Sequence, residues 1–152
     1  MQEKPTNELD ELLKSATPDT IDKYYEENRA YLAGGPKAFY YYMKDTLESK
    51  NILLKDMYSF AGVGESYGGQ ILRMEKHALN RDLILSFCIA GHFSVDEANR
   101  ALKLYGLSPL YSKDMRDSCI IVALHRKIFD LAEIDDLLEK EGHKKLERKI
   151  PS

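Results

Sequence analysis

The chain has 152 residues, 43% of them hydrophobic, and a formal net charge of −3. Those values suit one globular domain with a sizeable core, while the acidic total is unfavourable for a nucleic-acid binder taken whole. No apolar run approaches the roughly 18 residues that a membrane span needs, and the acidic, polar start MQEKPTNELDELLK is not a secretory signal. A cytoplasmic protein without a membrane partner is expected. Cys88 and Cys119 lie in apolar stretches without CxxC spacing. Buried free thiols are expected there, and a zinc site is not.

The charge is unevenly distributed. Residues 1–35 carry 4 basic and 8 acidic side chains, 36–82 carry 7 and 6, and 83–152 carry 11 of each. The acidity therefore belongs to an N-terminal arm. No segment alternates apolar and polar residues at period two, so every element is expected to be helical.

In the arm, Leu9, Leu12 and Leu13 share one helical face, and Thr17-Pro18 restarts a helix that runs to Gly34-Gly35. Pro36 opens the next helix, through Phe39, Tyr40, Met43 and Leu47, with Asn51 at its end. Leu54 to Ala61 reads as a short helix with Met57, Tyr58 and Ala61 inward and Gly62 as its C-terminal cap. A second short helix follows, with Ile71 and Met74 inward. Further on, Arg81-Asp82 recurs as Arg116-Asp117 at an offset of 35. Each pair opens an apolar helix, followed by a capped helix (Ser94, Asp130) that ends at a glycine (Gly106, Gly142). This predicts two stacked helical hairpins joined by Ser108-Pro109-Leu110-Tyr111.

Leu54 to Lys76 has the layout of a helix-turn-helix: a packing helix, a glycine turn plugged by Val63, and a helix whose first turns are polar. On such a unit Ser66, Tyr67 and Gln70 face base edges or phosphate, since Gln bonds adenine bidentately. Arg73, Lys76, His77 and Arg81 lie where the chain leaves the groove and passes the phosphates. Gly68-Gly69 interrupts that helix at roughly 1 kcal/mol per glycine. It serves close approach to a DNA backbone, close packing against Tyr40 or Tyr41, or a frayed turn.

These residues resemble the lambda-repressor/Cro-like (XRE-type) helix-turn-helix family, and within it a group of small bacterial proteins of unassigned role. The resemblance rests on Ser66-Tyr-Gly-Gly-Gln-Ile71, the loop Lys76 to Asp82 and the linker Leu107-Ser-Pro-Leu-Tyr111. It implies an all-α fold. A lambda-repressor-like bundle over 36–106 would sit between an acidic helical arm (1–35) and a C-terminal helical hairpin (107–146), with a basic tail at 147–152, and the run HKKLERKIPS from 143 to 152 is expected to fray. It also implies sequence-specific binding of double-stranded DNA by a bacterial transcriptional regulator, and such regulators often pair as homodimers. This chain departs from the family pattern at Glu65, at Leu53 or Leu54, and at Leu79-Asn80. Those departures motivate a second expectation: an adaptor for a protein partner on the same scaffold, without DNA binding.

Other constellations point to no chemistry. His77, His92, His125 and His143 show no metal spacing, and no P-loop, GxSxG or GxGxxG is present. No enzyme activity, cofactor or metal is expected. The aromatic run Phe39 to Tyr42, with Tyr24, Tyr25 and Tyr31, reads as interhelical packing rather than a stacking surface for single strands.

Overall fold

The computed structural model describes residues 10, 11, 13, 14, 17, 20, 21, 37–78 and 80–148. The two helices expected in the arm, and Pro36, lie almost wholly outside them. From residue 37 onward the described chain is all-helical: α1 (Ala38–Ser49), α2 (Leu54–Phe60), α3 (Glu65–Leu72), α4 (Arg81–Ala90), α5 (Val95–Tyr105), α6 (Met115–His125) and α7 (Leu131–Lys140).

Each of the seven helices stops in the same way. One residue turns left-handed (Asn51, Gly62, Met74, His92, Gly106, Lys127 and Gly142), and two backbone bonds close the last turn. At the end of α4, His92 N–H donates to Ile89 O at 3.1 Å and Phe93 N–H to Cys88 O at 2.9 Å. This Schellman geometry satisfies carbonyls that the helix cannot. It also folds the following residue inward, which buries Val63 and Phe93. At the other ends, Asn80, Ser94, Asp114 and Asp130 cap α4 to α7 with their side chains. Ser94 and Glu97 form a full capping box. Ser94→Ala is expected to lower the unfolding free energy by about 1 kcal/mol, read from urea denaturation.

All seven helices pack on one core. α4 is its axis, with every residue from Leu83 to Ala90 buried. The aromatic run of α1 packs as expected at two positions. Phe39 meets Tyr105 edge-on at 4.8 Å and Tyr42 meets Phe93 at 6.4 Å, with the Tyr42 hydroxyl donating to Glu97 O.

The two Arg-Asp pairs are exchanged between the hairpins they begin. Arg81 donates through Nη1 and Nη2 to both oxygens of Asp117, each at 2.9 Å. Arg116 donates in the same way to Asp82, at 3.0 and 2.9 Å. The rest of each guanidinium holds the segment that follows its own hairpin: Arg81 binds Ser108 O and Pro109 O, and Arg116 binds Lys144 O and Lys145 O. Asn99 accepts from Leu110 N–H, and Asp135 from Leu146 N–H. Tyr111 N–H reaches Asp117, and Glu147 N–H reaches Asp82. Each of these contacts of α4–α5 thus recurs in α6–α7 at the offsets of the sequence repeat. α4 touches α7 as α5 touches α6. Because the operation that carries the first hairpin onto the second also carries it back, the hairpins are related by a local two-fold rather than a solenoid step. One expectation is corrected here. The tail does not fray where it is described, since Leu146 is buried and residues 144–147 are tied to Arg116, Asp135 and Asp82.

Candidate functional site

α2 and α3 are joined by a four-residue turn, Ala61–Gly64. Gly62 takes φ +75°, a conformation that strains any side chain. Val63, 5% exposed, fills the space between the two helices. A Cβ on Gly68 would lie 2.5 Å from Cδ1 of Tyr58, so the Tyr58 ring rests directly on the α3 backbone. The nearest atoms to a Cβ on Gly69 are those of the Arg73 guanidinium, the first at 2.9 Å. Both glycines sit inside a regular helix and are buried. Gly68 therefore serves packing, and the ring it accommodates belongs to Tyr58 rather than to Tyr40 or Tyr41, whereas Gly69 borders the Arg73 side chain.

The residues predicted to face DNA do not form one cationic face. Ser66 is exposed at the start of α3, and Gln70 is half-buried one turn later. Tyr67 turns inward, and its hydroxyl is buried without a hydrogen-bond partner among the described residues. Arg73 is exposed but paired: Nε donates to Glu75 Oε1 at 3.0 Å, and Nη2 to Oε2 at 3.4 Å. The hydrogen bond from Arg73 holds the Glu75 carboxyl below its ordinary pKa, with burial opposing and the Arg73 charge helping. Arg81 is the clearest correction to the predicted site. Its guanidinium is used up on Asp117, Ser108 O and Pro109 O, so it faces the protein. Met74, expected inward, is 36% exposed, because α3 stops at Leu72 and Met74 takes a left-handed turn.

Lys76 and His77 are exposed on the loop after α3. His77 lies edge-on to Tyr105 with ring centres 6.4 Å apart. The Tyr105 hydroxyl fixes this loop by accepting from Ala78 N–H at 2.7 Å. Of the three predicted cations, only Lys76 stays exposed and outside an ion pair among the described residues. Acidic side chains also occupy the first turns of both helices, Asp56 in α2 and Glu65 in α3. A helix N-terminus favours an anion, and here that place is taken by the protein's own carboxylates.

A different surface stands out. Phe60, the last residue of α2, is 69% exposed, an unusual position for a phenyl ring. It borders a cleft of about 670 Å³ shared with the α4–α5 turn and the start of α7. His92 and Phe129 stack there, with centroids 4.6 Å apart and planes 11° from parallel. Leu131 adds apolar surface, and Lys127 and Arg148 add positive charge. Arg148 Nη1 is 3.5 Å from Asp135, close enough for an ion pair but without hydrogen-bond geometry. Asp130 also lines the cleft, but its carboxylate accepts the N–H groups of Ala132 and Glu133 as an N-cap. The balance is an aromatic floor whose rim carries Lys127, with Arg148 close to Asp135 and Asp130 engaged as a cap.

Sequence reasoning missed this cleft. One signal was available: Phe129 is the residue by which the second hairpin exceeds the first, since the offset changes from 35 to 36 between Ile128 and Asp130. Among the described residues no group of histidine, cysteine or carboxylate side chains is placed to hold a metal ion, and no helix is long and apolar enough to cross a membrane. Compared with family models, curated proteins and solved structures, the chain gives no match.

Proposed function

We propose that this protein is an interaction module on a lambda-repressor-like helix-turn-helix scaffold, with α2 and α3 as the motif within α1–α5. It takes an acidic protein segment carrying an aromatic or aliphatic anchor. The observation that carries this reading is Phe60, exposed at the mouth of a cleft floored by the His92–Phe129 stack and rimmed by Lys127 and Arg148. An anchor buried against these rings supplies about 1.5–3 kcal/mol. Cations at the rim select an acidic flank and speed its encounter.

Selection from a displayed peptide library tests the proposal. The peptides retained are expected to be acidic with a large apolar anchor. Phe60→Ala is expected to weaken them at least tenfold, or about 1.4 kcal/mol, and Lys127→Glu to weaken them further at low salt. An empty selection, or retained peptides indifferent to Phe60→Ala, refutes the cleft as the binding site.

The second reading, sequence-specific duplex binding, draws on Ser66, Gln70, Lys76 and His77, which leave the start of α3 and its following loop accessible. In that case Gln70→Ala weakens sequence preference by about 1–3 kcal/mol, and Lys76→Ala weakens all sequences alike. Phosphate contacts set the salt slope at about −0.9 per cation. With Arg73 and Arg81 engaged, any duplex binding by one chain is expected to show a slope shallower than about −3. Fluorescence anisotropy on a random duplex pool measures it, and a steeper slope would restore DNA binding as the first reading.

A further inference from the structure

The local two-fold assigns an empty place on α6. In the first hairpin, Phe87 on α4 is fully buried and lies against Tyr58 of α2 at 6.0 Å. Val122 stands at the equivalent position of α6, 35 residues later, and is 51% exposed. Ile84 on α4 is likewise buried, whereas its counterpart Cys119 is half-exposed. Met115, one turn before Cys119 on the same face, is 75% exposed. The position that α2 covers in the first hairpin, Phe87, is therefore bare in the second, at Val122. Met115, Cys119 and Val122 follow helical spacing, so they form one stripe.

We propose that this stripe is covered by α6 of a second copy, packed antiparallel about a two-fold axis near Cys119. A two-fold interface must be complementary to itself, and this face is. The axis sets Met115 against the partner's Val122. It sets the N-terminal end of α6, which carries Tyr111 and Asp114, against the C-terminal end of the other copy's α6, which carries His125 and Arg126. All four are exposed. Asp114, with the exposed Lys113 before it, then meets Arg126 at both ends, and Arg126 comes beside an aromatic ring. A single pair of short helices falls below the ~1,200 Å² of a standard interface, so the dimer is weak and concentration-dependent.

The two thiols give a direct test on the full chain. Cys88 is fully buried, so a short bismaleimide reports on Cys119. The expected product is a covalent dimer that is absent in Cys119→Ser and reduced at least fivefold in Val122→Asp. Sedimentation equilibrium is expected to show self-association that weakens at least tenfold in Met115→Lys and in Val122→Asp, both with unchanged far-UV circular dichroism. A chain that stays monomeric at millimolar concentration overturns the proposal, as does self-association that survives both substitutions. Monomers whose Val122→Asp variant melts at a lower temperature overturn it too, because the face would then be covered by another part of the same chain.

Discussion

Asp117→Ala is expected to lower the unfolding free energy by about 3–5 kcal/mol, the range for removing one partner of a buried ion pair. Asp117 is 5% exposed and accepts three hydrogen bonds, two from Arg81 and one from Tyr111 N–H. Its loss leaves the Arg81 guanidinium facing the protein with only carbonyl partners, and frees the linker that begins the second hairpin. Urea denaturation at neutral pH measures the change. Arg73→Ala is the internal control. It breaks a charge pair of the same chemistry with Glu75, but on the surface, so the midpoint should not move.

The pH dependence carries the same signature. Burial alone would raise the Asp117 carboxyl, but the hydrogen bonds from Arg81 and from Tyr111 N–H, with the charges of Arg81 and Arg116, hold it below the usual carboxylate value. A depressed folded-state pKa stabilises the fold above the unfolded value of about 3.9. That contribution fades as pH falls through the lower, folded-state value. Wild-type stability is therefore expected to drop more steeply than that of Asp117→Ala as the pH falls below about 4. Parallel acid titration curves for the two proteins would contradict this assignment.

Gly68→Ala and Gly69→Ala are expected to act in opposite directions, although each replaces a helical glycine with a better helix former. The added methyl at position 68 would sit 2.5–2.9 Å from three ring atoms of Tyr58, which is 5% exposed and itself packed on Phe87. The ring cannot retreat without opening the core, and overpacking of this kind costs about 1–3 kcal/mol. At position 69 the obstacle is the exposed tip of Arg73, which swings into solvent. There the gain in helix propensity, about 1 kcal/mol, is expected to appear as added stability. Thermal denaturation of the two variants decides it, and a stabilising Gly68→Ala would show that the ring is not held against α3.

Local signals in the chain are reliable where a single residue type determines backbone geometry. Gly62, Gly106 and Gly142 mark left-handed helix ends, and Ser94 and Asp130 mark helix starts, because each is chosen by steric freedom or a short-range hydrogen bond. Met74, His92 and Lys127 take the same left-handed turn without announcing it. After His92 and Lys127 the next residues, Phe93 and Ile128, turn toward the core, whereas after Met74 the exposed Glu75 pairs with Arg73 and backbone bonds to Ile71 O and Gln70 O close α3 before Lys76. The site was less legible. Arg81 counts as a free cation in any local sum of charge. Its partners come from the linker and from α6, 27 to 36 residues away. The cleft at Phe60 draws on residues from positions 60 to 148 and has no local pattern.

The sequence by itself therefore determined the helical class, most helix boundaries, and the existence of a repeat beginning with Arg-Asp. These depend on side-chain periodicity and capping, which act within a few residues. Only the tertiary structure decided that the repeat is a two-fold exchange of ion pairs, that Gly68 makes room for Tyr58, and that the predicted basic face keeps one unpaired cation among the residues described. Those outcomes depend on which charges and rings meet across the core, and that is set by the packing of whole helices.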